Sequence, residues 1–311
     1  MQKFIINIIV FGIGLLGLAF VADYVISKNL RKSTMQMLIG WNDIYSGKLK
    51  SDVLIMGSSR AWAQYSPNIL DSILEINSYN MGIDGRKIDS QILKYNTYRR
   101  FNSKPKVIIQ NIDIFTIGMS SDYQREQFFP YFFDDSLRTA ISNYEKFSIL
   151  KKYLPAYRYI GYPELIFGGI KIHFLSDYHD QLIKGYIGLN KLWDGSLLAK
   201  QTEIHYSQDS LALLLFDKYL AKAKSENIRV IFVYAPFYIG AIEKVKNIEG
   251  MYQMYDSIAQ KYNIPILDYT YDSLSYDTTY FYNAEHLNKK GSELFSAKLA
   301  HDIDSLGVLK K

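Results

Sequence analysis

Ser51–Trp62 reads SDVLIMGSSRAW, and the architecture of the chain is decided in this stretch. Val53 to Met56 is a short apolar run, β-branched at two positions and ended by Gly57, which is how a buried strand of a parallel sheet reads. Two serines and Arg60 follow without a spacer. A strand that stops at Gly-Ser-Ser delivers small hydroxyl residues to the carboxyl edge of its sheet, where open α/β sheets bind ligands. Gly57 lets the chain turn sharply there and leaves room for close approach. Ser58 and Ser59 are both candidate nucleophiles; the competing reading of either is a cap for the next helix.

Downstream of this stretch, strand-like and helix-like segments alternate. Ser66-Pro67 is a helix start, serine as cap and proline in the first turn, for a helix running to about Glu75. Asn77 to Met81 reads as a second strand, followed by the loop NMGIDGR and a helix from about Ile88 to Arg100. Lys106 to Ile112 is a third strand. After Leu211 to Ser225, a helix, comes Arg229 to Tyr234, a fourth strand. A helix over about Ala241 to Tyr262, a short fifth strand at Ile264 to Leu267 and a last helix at Ser292 to Asp304 complete the pattern. Strands separated by single helices predict an α/β fold, a flavodoxin-like doubly wound sheet of five parallel strands.

Residues 115 to 208 interrupt this alternation between the third and fourth strands. A parallel crossover needs only a dozen residues or so. The segment is therefore read as an insertion, mostly helical, rich in tyrosine and phenylalanine, and expected to cover the carboxyl edge as a cap. His173, Asp177 and His179 lie in it. Two histidines six apart with no supporting pattern read as surface residues, so no metal site is expected.

Upstream, Phe4 to Ala22 is apolar apart from Asn7 and three glycines, with Lys3 before it and Lys28, Arg31 and Lys32 after it. At about 1.5 Å per residue this run spans about 28 Å, close to a hydrocarbon core of about 30 Å. The sequence Ala19–Asp23, AFVAD, is a poor cleavage site, which favours an uncleaved transmembrane anchor over a signal peptide. The division is thus an anchor and stalk over residues 1 to 50 and a folded domain over 51 to 311. A single-pass protein of the inner, cytoplasmic membrane with its domain outside the cytoplasm is expected. The basic residues after the helix argue the other way, but a short amino terminus before a long folded domain makes that orientation the commoner one. The chain has 311 residues and no cysteine, which removes disulfides, thiolate metal ligands and a thiol nucleophile. Its net charge of +5 is spread without a basic block, so nucleic acid is not an expected partner.

A serine needs a base within reach and donors for the oxyanion that develops. Of five histidines, His286 stands out. It lies in FYNAEHLNKKG, between the last strand and the last helix, where a doubly wound sheet returns to its carboxyl edge. The earliest and latest motifs of the domain are thus able to meet. Trp62, Tyr65, Tyr234, Phe237 and Tyr238 follow strand ends and are divided between core packing and stacking on a sugar ring.

These residues carry a resemblance. Over residues 51 to 305 the chain resembles the SGNH, or GDSL-type, hydrolase superfamily, and within it the membrane-anchored cell-envelope branch that includes lipoteichoic-acid D-alanylation and alginate O-acetylation proteins. The resemblance places the nucleophile at Ser59, third in Gly57-Ser58-Ser59, with the backbone amide of Ser59 as one oxyanion donor. It matches Asn80 and Gly85 to the second block, making the Gly85 amide another donor. It matches Asn111, in Gln-Asn-Ile-Asp, to the asparagine of the third block, without the family's glycine. Its last block, Asp-x-x-His, is met by Asn283-Ala284-Glu285-His286, so asparagine stands where the family has aspartate. Glu285 and Asp277 are the alternative carboxylates. Arg60 and Arg86 flank the site as candidate substrate-binding groups, with pairing to Asp84 or Asp89 as the competing role. The resemblance implies a serine esterase or O-acyltransferase, or an impaired glycan-binding or assembly relative. It needs no cofactor, and its partners would be a cell-surface polysaccharide and a membrane-bound acyl donor protein.

Overall fold

The structure is a computed structural model that describes residues 1–121, 124–142, 148–174, 182–195 and 203–309. Asp177 and His179 lie outside the described residues, as do the side chain of His173 and four short stretches of the aromatic insertion. The chain divides into two compact units, Met1–Tyr45 with Asp122–Asp180, and Ser46–Ser121 with Gln181–Lys311.

The second unit holds five strands: β1 (Val53–Met56), β2 (Ser78–Asn80), β3 (Val107–Asn111), β4 (Arg229–Tyr234) and β5 (Ile266–Asp268). They pair in the order β2-β1-β3-β4-β5, all parallel. That is the flavodoxin-like order, with its switch point beside β1. Every residue of β1 and β3 is buried, as near-continuous apolar runs in a sheet covered on both faces should be. One face packs Val53, Ile55, Val107, Ile109, Ile231 and Val233 against Phe295, Leu299 and Ile303 of the last helix.

The helices of this unit begin with α3 (Ser59–Gln64), which α1 (Gln2–Leu30) and α2 (Gln36–Tyr45) precede in the chain. This single turn and a half was not expected; the sequence between Ser59 and Ser66 has no periodicity long enough to show it. Then come α4 (Pro67–Leu74) and α5 (Ile88–Phe101). In α4 the backbone of Ser66 is extended, Pro67 takes the first turn and Glu75 closes the helix in the left-handed region.

The first unit is built on α1 (Gln2–Leu30) and α2 (Gln36–Tyr45), with α6 (Asp135–Ser142), α7 (Ile149–Tyr153) and α8 (Pro163–Phe174). α1 is long and apolar enough to cross a membrane, and the apolar window that qualifies it is wholly exposed. Its last turns are different. Ile26 packs on Gly169, where a side chain would meet the Ile26 backbone at 3.1 Å, and Asn29 donates to the Gly169 carbonyl at 2.7 Å. Ser27 bonds the Tyr159 hydroxyl at 2.7 Å.

The sheet unit continues with α9 (Ser210–Ser225), α10 (Ile248–Tyr262) and α11 (Lys289–Ser305). The expected single helix from 241 to 262 is broken: Val245–Lys246 leaves it to pair with Ile204–His205. Val245 is β-branched and its run is short, so pairing outweighs a helical turn there. Between β5 and α11, Phe281–Asn283 and His286–Leu287 form an antiparallel hairpin, β6 and β7, where a loop was expected.

Candidate active site

Gly57 turns the chain at the carboxyl end of β1 with φ +155°, and a side chain there would meet Ala61 Cβ at 2.6 Å and Asn111 Cβ at 2.9 Å. Only glycine passes. Ser58 then takes the position just before α3, with no side-chain cap bond, and Ser59 is the first residue of the helix. A first-turn amide has no acceptor inside its own helix, so the Ser59 N–H is a donor available to a ligand.

His286 reaches Ser59 from the other end of the unit. Its Nε2 lies 2.8 Å from Ser59 Oγ, and its Nδ1 lies 2.9 Å from Asn283 Oδ1. This distinguishes the two serines: Ser59 faces the imidazole. The same Asn283 Oδ1 also accepts the backbone N–H groups of Glu285 and His286, each at 2.9 Å. Two backbone donors on one atom fix it as the oxygen of the amide, which only accepts, so Nδ1 facing that oxygen carries the ring proton. Nε2 is left with its lone pair towards Ser59, the tautomer a general base needs.

The local sequence explains why the histidine is held there. In His-Leu-Asn-x-x-Gly, Asn288 caps α11 by accepting the Gly291 N–H at 3.0 Å and donates to the Thr279 carbonyl at 2.7 Å. Gly291 packs on the Tyr280 carbonyl, which a side chain would meet at 2.3 Å. The hairpin is thus pinned to the start of α11 on both sides of the imidazole.

Burial lowers the His286 pKa to about 4, the nearby Arg60 guanidinium adds to the fall, and Asp113 opposes it. Burial raises the Glu285 carboxyl above its usual range. Neither alternative carboxylate takes the third position. The ring nitrogen is held by Asn283, and Asp277 is exposed and caps the turn that follows by accepting the Thr279 N–H.

The loop after β2 comes to the same edge. Ile83 N donates to the Gly57 carbonyl at 3.2 Å, and Gly82 lies against Trp62, whose amide nitrogen a side chain would meet at 2.3 Å. Gly85 sits in that loop in the left-handed region, φ +63°, and a side chain there would meet no described atom within 4 Å. A residue the sequence reading used only as a marker organises this junction. Asn80 donates to the Ala61 and Tyr65 carbonyls at 2.7 and 2.9 Å, and its Oδ1 accepts the Gly82 N–H at 2.8 Å. It therefore ties α3, which carries the serine, to the glycine loop. Buried Lys94 supports the same loop by donating to the Met81 and Gly82 carbonyls.

Three expected site residues face inward instead. Asn111 is fully buried, its Oδ1 accepting from Tyr65 and its Nδ2 donating to Asp113 at 2.9 Å. A buried carboxylate needs donors, and Asp113 claims this one. Arg60 donates to the Ala235 and Pro236 carbonyls, faces Asp113 at 3.7 Å and lies over the Phe237 ring at 4.7 Å. It is the interior counter-charge of Asp113. Arg86 is buried as well, with its carbonyl accepting from Gln91. Tyr65, Tyr234 and Phe237 belong to the core; Trp62 and Tyr238 are half-buried. Among the described residues no group of three or more His, Cys, Asp or Glu side chains is placed to hold a metal ion.

No family model matches the chain and no curated protein matches it. Solved structures do. The chain is similar to a protein described as a lipolytic member of the G-D-S-L family from Desulfitobacterium hafniense, with 14% identity over 81% of this chain and 99% of that one and a TM-score of 0.41. It is similar to a protein described as an acylhydrolase from Bacteroides fragilis, with 13% identity over 82% and 92% and a TM-score of 0.37. A GDSL-like lipase from Bacteroides thetaiotaomicron is similar too, with 13% identity over 82% and 88% and a TM-score of 0.35.

Proposed function

We propose that the chain is a membrane-anchored serine esterase or O-acyltransferase of the SGNH type, acting on acyl esters of a cell-envelope glycan. The observation that carries this reading is the line Ser59 Oγ, His286 Nε2, His286 Nδ1, Asn283 Oδ1, with both links within hydrogen-bond distance. In the reaction, Ser59 Oγ attacks the acyl carbonyl as its proton passes to Nε2. The amides of Ser59 and Gly85 hold the oxyanion. The ester C–O bond breaks, and the imidazolium returns the proton to the departing alcohol. Water or a sugar hydroxyl then attacks the acyl-serine with His286 again as base, which gives hydrolysis or transfer.

The glycan, the envelope setting and a membrane-bound acyl donor protein as partner are supported by the resemblance of the motifs. The apolar helix α1 supports a single-pass anchor; an inner membrane with the sheet unit outside the cytoplasm is our reading from the resemblance and the short amino terminus. The test is hydrolysis of an aryl acetate by the full chain in detergent, beside Ser59→Ala and His286→Ala. Loss of at least about a thousandfold in kcat/KM in both variants is expected. Equal rates in all three proteins would remove the enzyme reading.

One observation favours a second reading. Asn283 supplies orientation but no charge, and the imidazolium is disfavoured down to a pKa of about 4. On that reading the chain is a glycan-binding or assembly subunit with impaired catalysis. Retained polysaccharide binding with no serine-dependent turnover distinguishes it.

A further inference from the structure

α7, Ile149–Tyr153, turns its apolar side outward. Ile149 is 76% exposed, Leu150 49%, Tyr153 67% and Leu154, just after the helix, 37%. Spaced i, i+1, i+4 and i+5, they share one face. The two lysines between them point the other way and are half-buried, with Lys151 Nζ over the rings of Phe129 and Tyr162 at 5.7 and 5.3 Å. A surface helix in water has the reverse arrangement, and a contiguous exposed apolar patch marks an interaction site.

The height of this patch is fixed by Asp23. Ala156 N donates to Asp23 Oδ1 at 2.9 Å, and Arg158 donates to Asp23 Oδ2 at 2.7 Å and to Ser27 Oγ at 3.0 Å. Asp23 is the first charged residue after the apolar run of α1. A run of about 28 Å that starts at one face of the hydrocarbon core ends at the other, so Asp23 marks the level where the core gives way to headgroups. The segment bound to Asp23 sits at that level. Ile160, 64% exposed, extends the apolar surface on the other side of the Arg158 attachment.

We propose that α7 and the turn to Ile160 lie in the headgroup–acyl boundary of the bilayer that α1 crosses, so that the first unit is held by lipid at two places. A lipid surface is the occupant because the patch is joined, through Asp23, to the end of the exposed apolar surface of α1. Tyr153 brings an amphipathic ring suited to that layer. Apolar side chains of such elements enter about 5–10 Å into the boundary. The inference rests on the anchor reading of α1 given above.

The chain has no native cysteine, so single spin labels test it directly. Leu16→Cys, Ile149→Cys, Tyr153→Cys and Ile160→Cys, each labelled in the full chain and reconstituted into phosphatidylethanolamine–phosphatidylglycerol vesicles, are compared for collision with oxygen and with an aqueous nickel chelate. Every substituted position is exposed, so the fold is expected to survive, and circular dichroism checks it. The expected result is loss of nickel access at 149, 153 and 160 as at 16. Leu16 shielded with 149, 153 and 160 fully open to nickel overturns the proposal and leaves the anchor standing. All four open to nickel overturns both.

Discussion

At the scale of single residues, the site turns on what Asn283 contributes. Its Oδ1 already receives three donors in the positions a carboxylate would use. Asn283→Asp should therefore keep the geometry and add the charge that stabilises an imidazolium. The expected gain in kcat is at least about tenfold, with a ceiling near about ten-thousandfold set by the reverse change in a serine protease. Aryl acetate turnover of the two proteins measures it. The pH profile is a second check. With a His286 pKa of about 4, the imidazole stays neutral and able to accept a proton through the mildly acidic range. The acid limb of kcat/KM should fall near pH 4, and Asn283→Asp should move it upward. Stability follows the same group. The unfolded histidine binds its proton near its ordinary value of 6.5, above the folded value, so between those pH values the unfolded state holds more protons. Stability is then fully present above pH 6.5 and declines as the pH falls towards 4, by roughly 3 kcal/mol if His286 acted alone. Urea unfolding of the natural chain and His286→Gln at pH 7 and pH 5 should show the natural chain losing more.

At the scale of elements, Asn80 joins the helix that carries the serine to the loop that carries Gly85. Asn80→Ala leaves the Ala61 and Tyr65 carbonyls and the Gly82 N–H without these partners in a buried junction. The cost of unmet buried groups is about 1–3 kcal/mol each at most, so a fall in stability of roughly 2–4 kcal/mol is expected. Turnover should fall further than stability alone explains, because α3 and the loop lose their common reference; chemical denaturation and kcat at a temperature where the variant remains folded separate the two. Strands β1, β3 and β4 were legible in the sequence because each is a short, mostly apolar run between turn residues, and β4 has the very ends read from it. α3 was not, since six residues carry no period. The hairpin was not, since strands of three and two residues leave no alternation to read. The inward turn of Arg60 and Asn111 escaped for another reason. Which way a polar side chain points at a strand end depends on Asp113 and on the carbonyls of Ala235 and Pro236, and no local pattern announces a partner from a distant strand.

At the scale of the whole molecule, α1 has two parts with different environments. A chain lacking residues 2–22 should keep the melting temperature of the full chain, because none of those residues is buried. A chain lacking residues 2–30 also loses buried Ile26 and Leu30 and the bonds of Ser27 and Asn29. Losing one such side chain costs about 2–5 kcal/mol. Hydrogen exchange over residues 156–170 should quicken in the second truncation and not in the first. The sequence showed the apolar run but not that its continuation closes a unit with residues more than a hundred positions away. The separation of Ser59 from His286 along the chain sets an order of events during synthesis. The serine leaves the ribosome 227 residues ahead of its base. A nascent chain stalled before the hairpin of β6 and β7 carries the nucleophile but no partner for it, so any reactivity of Ser59 waits until His286 has been made and has folded back onto it.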